Sequence, residues 1–80
     1  MSVRRHENGN IALEGDCPAE DAETLLQMLQ AAPGVPIDWT QCSQLHTAVL
    51  QVILAAAPAL IGACGDPWVA RWFVVTHSEI

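Results

Sequence analysis

The sequence predicts an α/β fold, in which a mixed sheet of about four to five strands packs with helices. A β-hairpin is indicated first, because the turn signal Asn8-Gly9-Asn10 separates two short segments that favour strands. Helical and strand patterns then alternate along the chain, which is typical of a sheet that is at least partly parallel. The 80 residues have room for one domain, residues 1–80, with residues 1–2 and 77–80 expected to be frayed.

The hairpin is predicted to lead directly into a first helix. Ile11, Leu13 and Gly15 alternate with Ala12, Glu14 and Asp16, which is the two-residue period of a half-buried strand. The helix is predicted over Pro18–Ala31, since proline suits the first helical turn. The apolar face of this helix consists of Ala22, Leu25, Leu26 and Leu29. Its first turn is acidic, and we expect this turn to be solvated and matched to the helix dipole; it contains Glu20, Asp21 and Glu23.

A strand, a loop and an apolar helix are predicted for the middle of the chain. The strand is placed at Val35–Trp39, which puts Asp38 near its carboxyl end, and the loop at Thr40–Leu45. The helix is expected to begin at Thr47, with Ser43 or His46 as its N-cap, and to end at Pro58. It contains no charged residue, so most of its sides should be buried or covered by something else.

The last third of the chain predicts a short strand and a third helix. Residues 59–64 form an apolar run that is typical of a buried strand. Asp66 followed by Pro67 indicates an N-cap and a first helical residue. The apolar face of this helix is assigned to Trp68, Val69, Trp72 and Phe73. Residues 74–76 (Val-Val-Thr) favour β structure.

Composition excludes several functional classes. The formal charge of −6, with three arginines and no lysine, disfavours binding to nucleic acid or to an acidic membrane. The apolar runs are shorter than the roughly 18–20 residues that a membrane-spanning helix needs, and no secretory signal is indicated. Three widely spaced cysteines without a Cys-x-x-Cys pair favour buried thiols in a reduced, cytoplasmic protein, with neither a disulfide framework nor a metal.

The chemically interesting residues are concentrated at the start of the apolar helix. His46 and Thr47 are adjacent, and adjacent side chains on a helix diverge by about 100°, so His46 is poorly placed to activate the Thr47 hydroxyl. We therefore do not expect an enzyme, and no cofactor is indicated. A phosphate on Thr47 would meet the positive end of the helix dipole and would add a charge of roughly −1.5 to −2 beside an apolar surface. The simpler interpretation is that Thr47 caps the helix.

Residues 38–54, DWTQCSQLHTAVLQVIL, resemble the signature of STAS domains (sulfate transporter and anti-sigma factor antagonist). The resemblance places Asp38 on the aspartate that ends a strand in that family, and Thr47 on the phosphorylated Ser or Thr. His46 and Val49 replace an Asp and a Gly of the motif, and Ala48 matches the form found in subunits of lipid-transport ABC complexes. The resemblance implies a compact STAS-like fold that covers most of the chain.

The resemblance also implies a function. It indicates a small protein-binding regulatory module of bacterial signal transduction, with Thr47 as the phospho-acceptor or contact and with Asp38, Thr40, His46, Ala48 and Val49 around it. The implied partner is a serine-kinase-type anti-sigma factor or another signalling protein. Two alternatives stay open: an accessory subunit of a transporter ATPase, and a small enzyme or ligand-binding domain that uses His46 and Thr47. The three tryptophans could also serve a homodimer surface.

Overall fold

A computed structural model of the chain describes residues 2–77, with side-chain environments for residues 2–72. In this part of the chain an initial hairpin is followed by alternating helices and strands, in the order β1 (Val3–Arg5), β2 (Ile11–Cys17), α1 (Asp21–Ala31), β3 (Ile37–Leu45), α2 (Thr47–Ala56), β4 (Leu60–Ile61) and α3 (Pro67–His77). The α/β class and the hairpin predicted from the sequence are confirmed.

The strands form one mixed sheet in the order β1-β2-β3-β4. β1 pairs antiparallel with β2, whereas β3 pairs parallel with both β2 and β4. The crossovers through α1 and α2 step in the same direction along the sheet, and right-handed crossovers place both helices on one face. In agreement, α1 and α2 pack against each other. The opposite face carries Arg4, Glu14 and Asp38, and the first two are joined by an ion pair of 3.6 Å.

Strand β3 is longer and less regular than the sequence predicts. Its nine residues pair with the seven of β2, and the register shifts once between Ala12 and Glu14 and again between Gly15 and Asp16. Each shift accommodates one extra residue of β3, as in a β-bulge. The core-facing residues of β3 are therefore spaced by two, three and three positions, namely Ile37, Trp39, Cys42 and Leu45. The predicted loop at Thr40–Leu45 is wrong, because the bulges remove the alternation that identifies a strand.

The segment of residues 62–66 covers the outer edge of β3 beyond the two-residue strand β4. Trp39 contributes two hydrogen bonds to this covering: its indole Nε1 donates to the Gly62 carbonyl at 2.9 Å, and its own carbonyl accepts from the Gly65 N–H at 2.9 Å. Farther along, the Leu45 N–H donates to the Asp66 carboxylate at 2.9 Å. The predicted strand over residues 59–64 is correspondingly shorter, since only Leu60 and Ile61 pair with β3.

Helix α1 begins three residues later than predicted, after a turn in which the Asp21 N–H donates to the Pro18 carbonyl. Leu25 and Leu29 enter the core, but Leu26 is largely exposed. Asp21 does not belong to a solvated acidic face: it is buried and accepts a hydrogen bond from the Ser2 hydroxyl. That bond gives the carboxylate the partner that a buried charge requires.

Helix α2 begins at Thr47 as predicted and ends at Ala56, two residues before Pro58. It buries Val49, Leu50 and Ile53 against the sheet, while most of its remaining residues are exposed. One face of the helix is therefore buried and the other is exposed, although the helix has no charged residue. The third helix continues through residues 74–76, where β structure was favoured.

Fraying is predicted for residues 1–2 and 77–80, of which the structure describes Ser2 and His77. The Ser2 carbonyl accepts from the Glu14 N–H at 2.8 Å, and His77 belongs to α3. Met1 and residues 78–80 lie outside the described residues, as do the side-chain surroundings of Phe73. Within the described residues, none of the helices combines the length and the apolar character needed to cross a membrane.

The close packing of segment 62–66 on β3 predicts that Gly65→Ala destabilises the fold. A Cβ at this position would lie within 3.0 Å of the carbonyl oxygens of Thr40 and Cys42, and backbone atoms cannot move aside cheaply. We expect the free energy of unfolding to fall by about 3 kcal/mol in urea titrations. Gly34→Ala is the control, because its positive φ of 87° costs only about 1 kcal/mol and the space around it is open. Equal losses in the two variants would contradict this packing.

Candidate functional site

The carboxyl ends of β2 and β3 meet at one corner of the sheet. Cys17 and Leu45 are paired there, and the His46 N–H donates to the Cys17 carbonyl at 3.0 Å. The chain then turns directly into α2 at Thr47. In α/β proteins, ligand and partner sites commonly lie outside the carboxyl ends of parallel strands. We therefore take this corner as the candidate functional site.

His46 is the N-cap of α2, one of the two residues that the sequence proposed for this role. Its backbone is extended, and its Nδ1 atom accepts from the Ala48 N–H at 3.0 Å. The His46 carbonyl accepts the first helical bonds, from Val49 at 3.0 Å and from Leu50 at 3.1 Å. The cap fixes the imidazole with Nδ1 as an acceptor, so the proton of the neutral ring resides on Nε2. The imidazole thus stabilises the start of α2 through the hydrogen bond to its Nδ1 atom.

Thr47, Ala48 and Val49 have different exposures. Thr47 is the first residue of the helix and its side chain is exposed, whereas Ala48 is half-buried. Val49 is fully buried in the core. The resemblance placed Val49 among the residues around Thr47, and in the structure its side chain points inward into the core. Of the three, Thr47 presents the accessible chemical group.

Asp38 and Thr40 lie at the other end of β3. Asp38 is the second residue of the strand, not near its carboxyl end, and its Oδ1 atom accepts from the Thr40 hydroxyl at 2.6 Å and from the Thr40 N–H at 3.0 Å. These bonds, the hydroxyl bond foremost, lower the pKa of Asp38. Asp38 and Leu45 pair with Ala12 and Cys17 of β2, which are five residues apart. At about 3.3 Å per residue, Asp38 is therefore about 17 Å along the strand from Leu45. The structure therefore does not bring Asp38 and Thr40 to the corner that contains His46 and Thr47.

Asp66 supplies a second capped helix end at the same corner. Its Oδ1 atom accepts from the Trp68 N–H at 3.0 Å and from the Val69 N–H at 3.5 Å, while Oδ2 accepts from the Leu45 N–H. One carboxylate thus caps α3 and anchors that helix to the last residue of β3. The sequence predicted the cap, but the bond to Leu45 depends on a contact between residues 21 positions apart.

A surface cavity of about 490 Å³ opens between the two helix ends. The polar side chains that line the cavity belong to Asp16, Gln44, His46 and Asp66. Backbone and apolar atoms form the rest of the lining. The lining contains acidic residues and no arginine. This cavity therefore favours a neutral or cationic group over an anion.

Trp68 lies at the rim of the cavity and is 61% exposed. Its ring stacks on that of Trp72, with centroids 6.2 Å apart and an interplanar angle of 4°. Exposed large aromatic side chains are enriched at protein contact surfaces. The sequence placed Trp68 and Val69 together on the apolar face of the third helix, and of these two Val69 is buried whereas Trp68 is exposed. Helical periodicity alone does not distinguish which of two adjacent apolar residues points inward.

Comparison with models of known protein families finds no match, and a search of curated proteins finds none either. Among the residues that the structure describes, no three His, Cys, Asp or Glu side chains are arranged to hold a metal ion.

Because Asp66 both caps α3 and binds the Leu45 N–H, removing its carboxylate should lower the stability of the fold. Asp66→Ala removes the α3 cap and leaves the Leu45 N–H without its acceptor, so we expect the free energy of unfolding to fall by about 2 kcal/mol. Asp66→Asn keeps an oxygen for the cap and should recover part of that loss. Urea titrations of the three proteins make the comparison. An Asp66→Ala variant as stable as the wild type would show that the carboxylate does not join α3 to β3.

Proposed function

We propose that this chain is a small protein-binding regulatory module, STAS-like in fold, which captures its partner at the corner formed by Thr47, His46 and Trp68. The observation that carries the proposal is the 61% exposed indole of Trp68 at the rim of an open cavity that His46 also lines. Thr47 follows His46 directly and is exposed. An aromatic anchor beside a polar rim is the usual composition of a protein contact surface.

The electrostatics of the corner favour a neutral or basic partner surface. The chain has a formal charge of −6, and the two carboxylates of the cavity, Asp16 and Asp66, add a local negative contribution. Long-range attraction would accelerate encounter with a basic surface and slow encounter with an acidic one. The resemblance of residues 38–54 to STAS domains supports a signalling partner, such as a serine-kinase-type anti-sigma factor.

Phosphorylation of Thr47 is the proposed control of this contact. The hydroxyl is exposed at the first residue of α2, where the helix dipole tolerates an added dianion without refolding. In a contact with a neutral, apolar partner group the same dianion would need costly desolvation. The module would then bind in its unmodified form and release its partner when phosphorylated.

The corner is tested by affinity capture from cells of the source organism, with the wild type and four variants as baits. Thr47→Glu places a carboxylate where the phosphate would be, and Trp68→Ala removes the aromatic anchor. We expect both to lose, by at least about tenfold, the proteins that the wild type retains, since a central aromatic anchor contributes about 2 kcal/mol or more.

Two further variants are matched controls for charge and shape. Gln30→Glu adds the same charge at an exposed position of α1, and Thr47→Val keeps the shape of threonine without its hydroxyl. Both should retain the partner proteins. Equal capture by all five baits would contradict the proposed surface, and circular dichroism of each bait verifies that the variants are folded.

A further inference from the structure

Three cysteines that are far apart in the sequence lie together in the fold. Cys17 is the last residue of β2, Cys42 lies in β3, and Cys64 belongs to segment 62–66 on the outer edge of β3. All three are free thiols that belong to the hydrophobic core. The Cys42 thiol donates to the Cys17 sulfur at a Sγ–Sγ distance of 3.7 Å. The bulged register of β3 turns Cys42 to the same face as Cys17, with the side-chain-free Gly15 directly opposite Cys42.

The backbone holds Cys64 against Cys42 from the other side. Gly65 donates to the Trp39 carbonyl at 2.9 Å and lies so close to the Cys42 carbonyl that a side chain at residue 65 would collide with it. Interaction with the Cys42 thiol, aided by a hydrogen bond from the Asp66 backbone, lowers the pKa of Cys64. The interaction with Cys64 and burial raise the pKa of Cys42, and burial raises that of Cys17. Of the three thiols, Cys64 is the one whose pKa is lowered.

We propose that Cys42 and Cys64 form an oxidation-sensitive thiol pair, which hydrogen peroxide converts to an intrachain disulfide while Cys17 stays a thiol. Cys64 reacts first because it is 6% exposed, compared with 0% for Cys17 and 1% for Cys42. The disulfide would close a loop that contains the whole of α2 and the corner with His46 and Thr47. The modification itself does not depend on the proposed protein-binding role.

The chemistry has two steps. In the first, the Cys64 thiolate attacks one peroxide oxygen: an S–O bond forms, the O–O bond breaks, and the departing hydroxide takes a proton to become water. In the second, Cys42 loses its proton and its sulfur attacks the Cys64 sulfenic acid, so that the S–S bond forms and the S–O bond breaks. The second hydroxide leaves as water with that proton. Two thiols are oxidised by one peroxide, which is reduced to two waters.

The test uses the folded wild-type chain and a protease that cleaves before aspartate. After treatment with hydrogen peroxide and alkylation of the remaining thiols, cleavage at Asp16, Asp21, Asp38 and Asp66 separates Cys17, in peptide 16–20, from Cys42 and Cys64, both in peptide 38–65. We expect peptide 38–65 to lose the mass of two hydrogen atoms and to carry no alkyl group, while peptide 16–20 is alkylated. Peptide 38–65 contains no methionine, so methionine oxidation does not interfere.

Three results would overturn the proposal. Linkage of peptide 16–20 to peptide 38–65 would show that Cys17 is the partner of Cys42. Full alkylation of all three cysteines would show that the folded pair does not react. If the chain unfolded in guanidinium forms the same disulfide faster than the folded chain does, the fold contributes nothing to the reaction of the pair. Cys17→Ala should keep the disulfide and Cys64→Ala should abolish it, and the peptide map of the wild type decides the pairing even if a variant fails to fold.

Discussion

The parallel pairing of β2 with β3 is the interaction on which the described structure depends most. β3 has nine residues against seven in β2, and the two extra residues turn Ile37, Trp39, Cys42 and Leu45 to the core at unequal spacings. A strand without these bulges would direct Cys42 toward the open face of the sheet, and a strand with only the first bulge would direct Leu45 there, because one residue of slippage reverses the side chains that follow. The irregular register therefore fills the core and also places the carboxyl end of β3 beside Cys17.

The same pairing determines the corner, because each of its parts is joined to the end of β3. His46 caps α2 immediately after Leu45, and Asp66 caps α3 while it accepts the Leu45 N–H. Two helix ends, a cavity and the exposed indole of Trp68 follow from one strand terminus. The polar groups of the corner are attached to the ends of a strand and of two helices, whose backbone geometry is fixed. Such rigid ends position a contact surface more accurately than a mobile loop does.

Local patterns in the sequence were sufficient for the elements with ordinary periodicity or clear end signals. The Asn-Gly turn, the start of α2 at Thr47, the His46 cap candidate and the Asp66 cap all depend on residues within a few positions of one another. The extension of β3 through residues 40–45 could not be predicted in this way, because bulges depend on the partner strand. The separation of Asp38 from Thr47, the exposure of Trp68 and the meeting of three cysteines likewise depend on contacts between residues distant in the chain.

Amide hydrogen exchange of residues 40–45, followed by NMR in the intact chain, tests the central claim most directly. If β3 is one bulged strand, the amides in this stretch that bond to β2, and the Leu45 amide that bonds to Asp66, should exchange at rates close to those of Ile37. The unpaired residue at each bulge should exchange faster than its neighbours. Uniformly fast exchange from Thr40 to Leu45 would show a flexible loop there, and the corner, the cavity and the cysteine cluster would lose their common support.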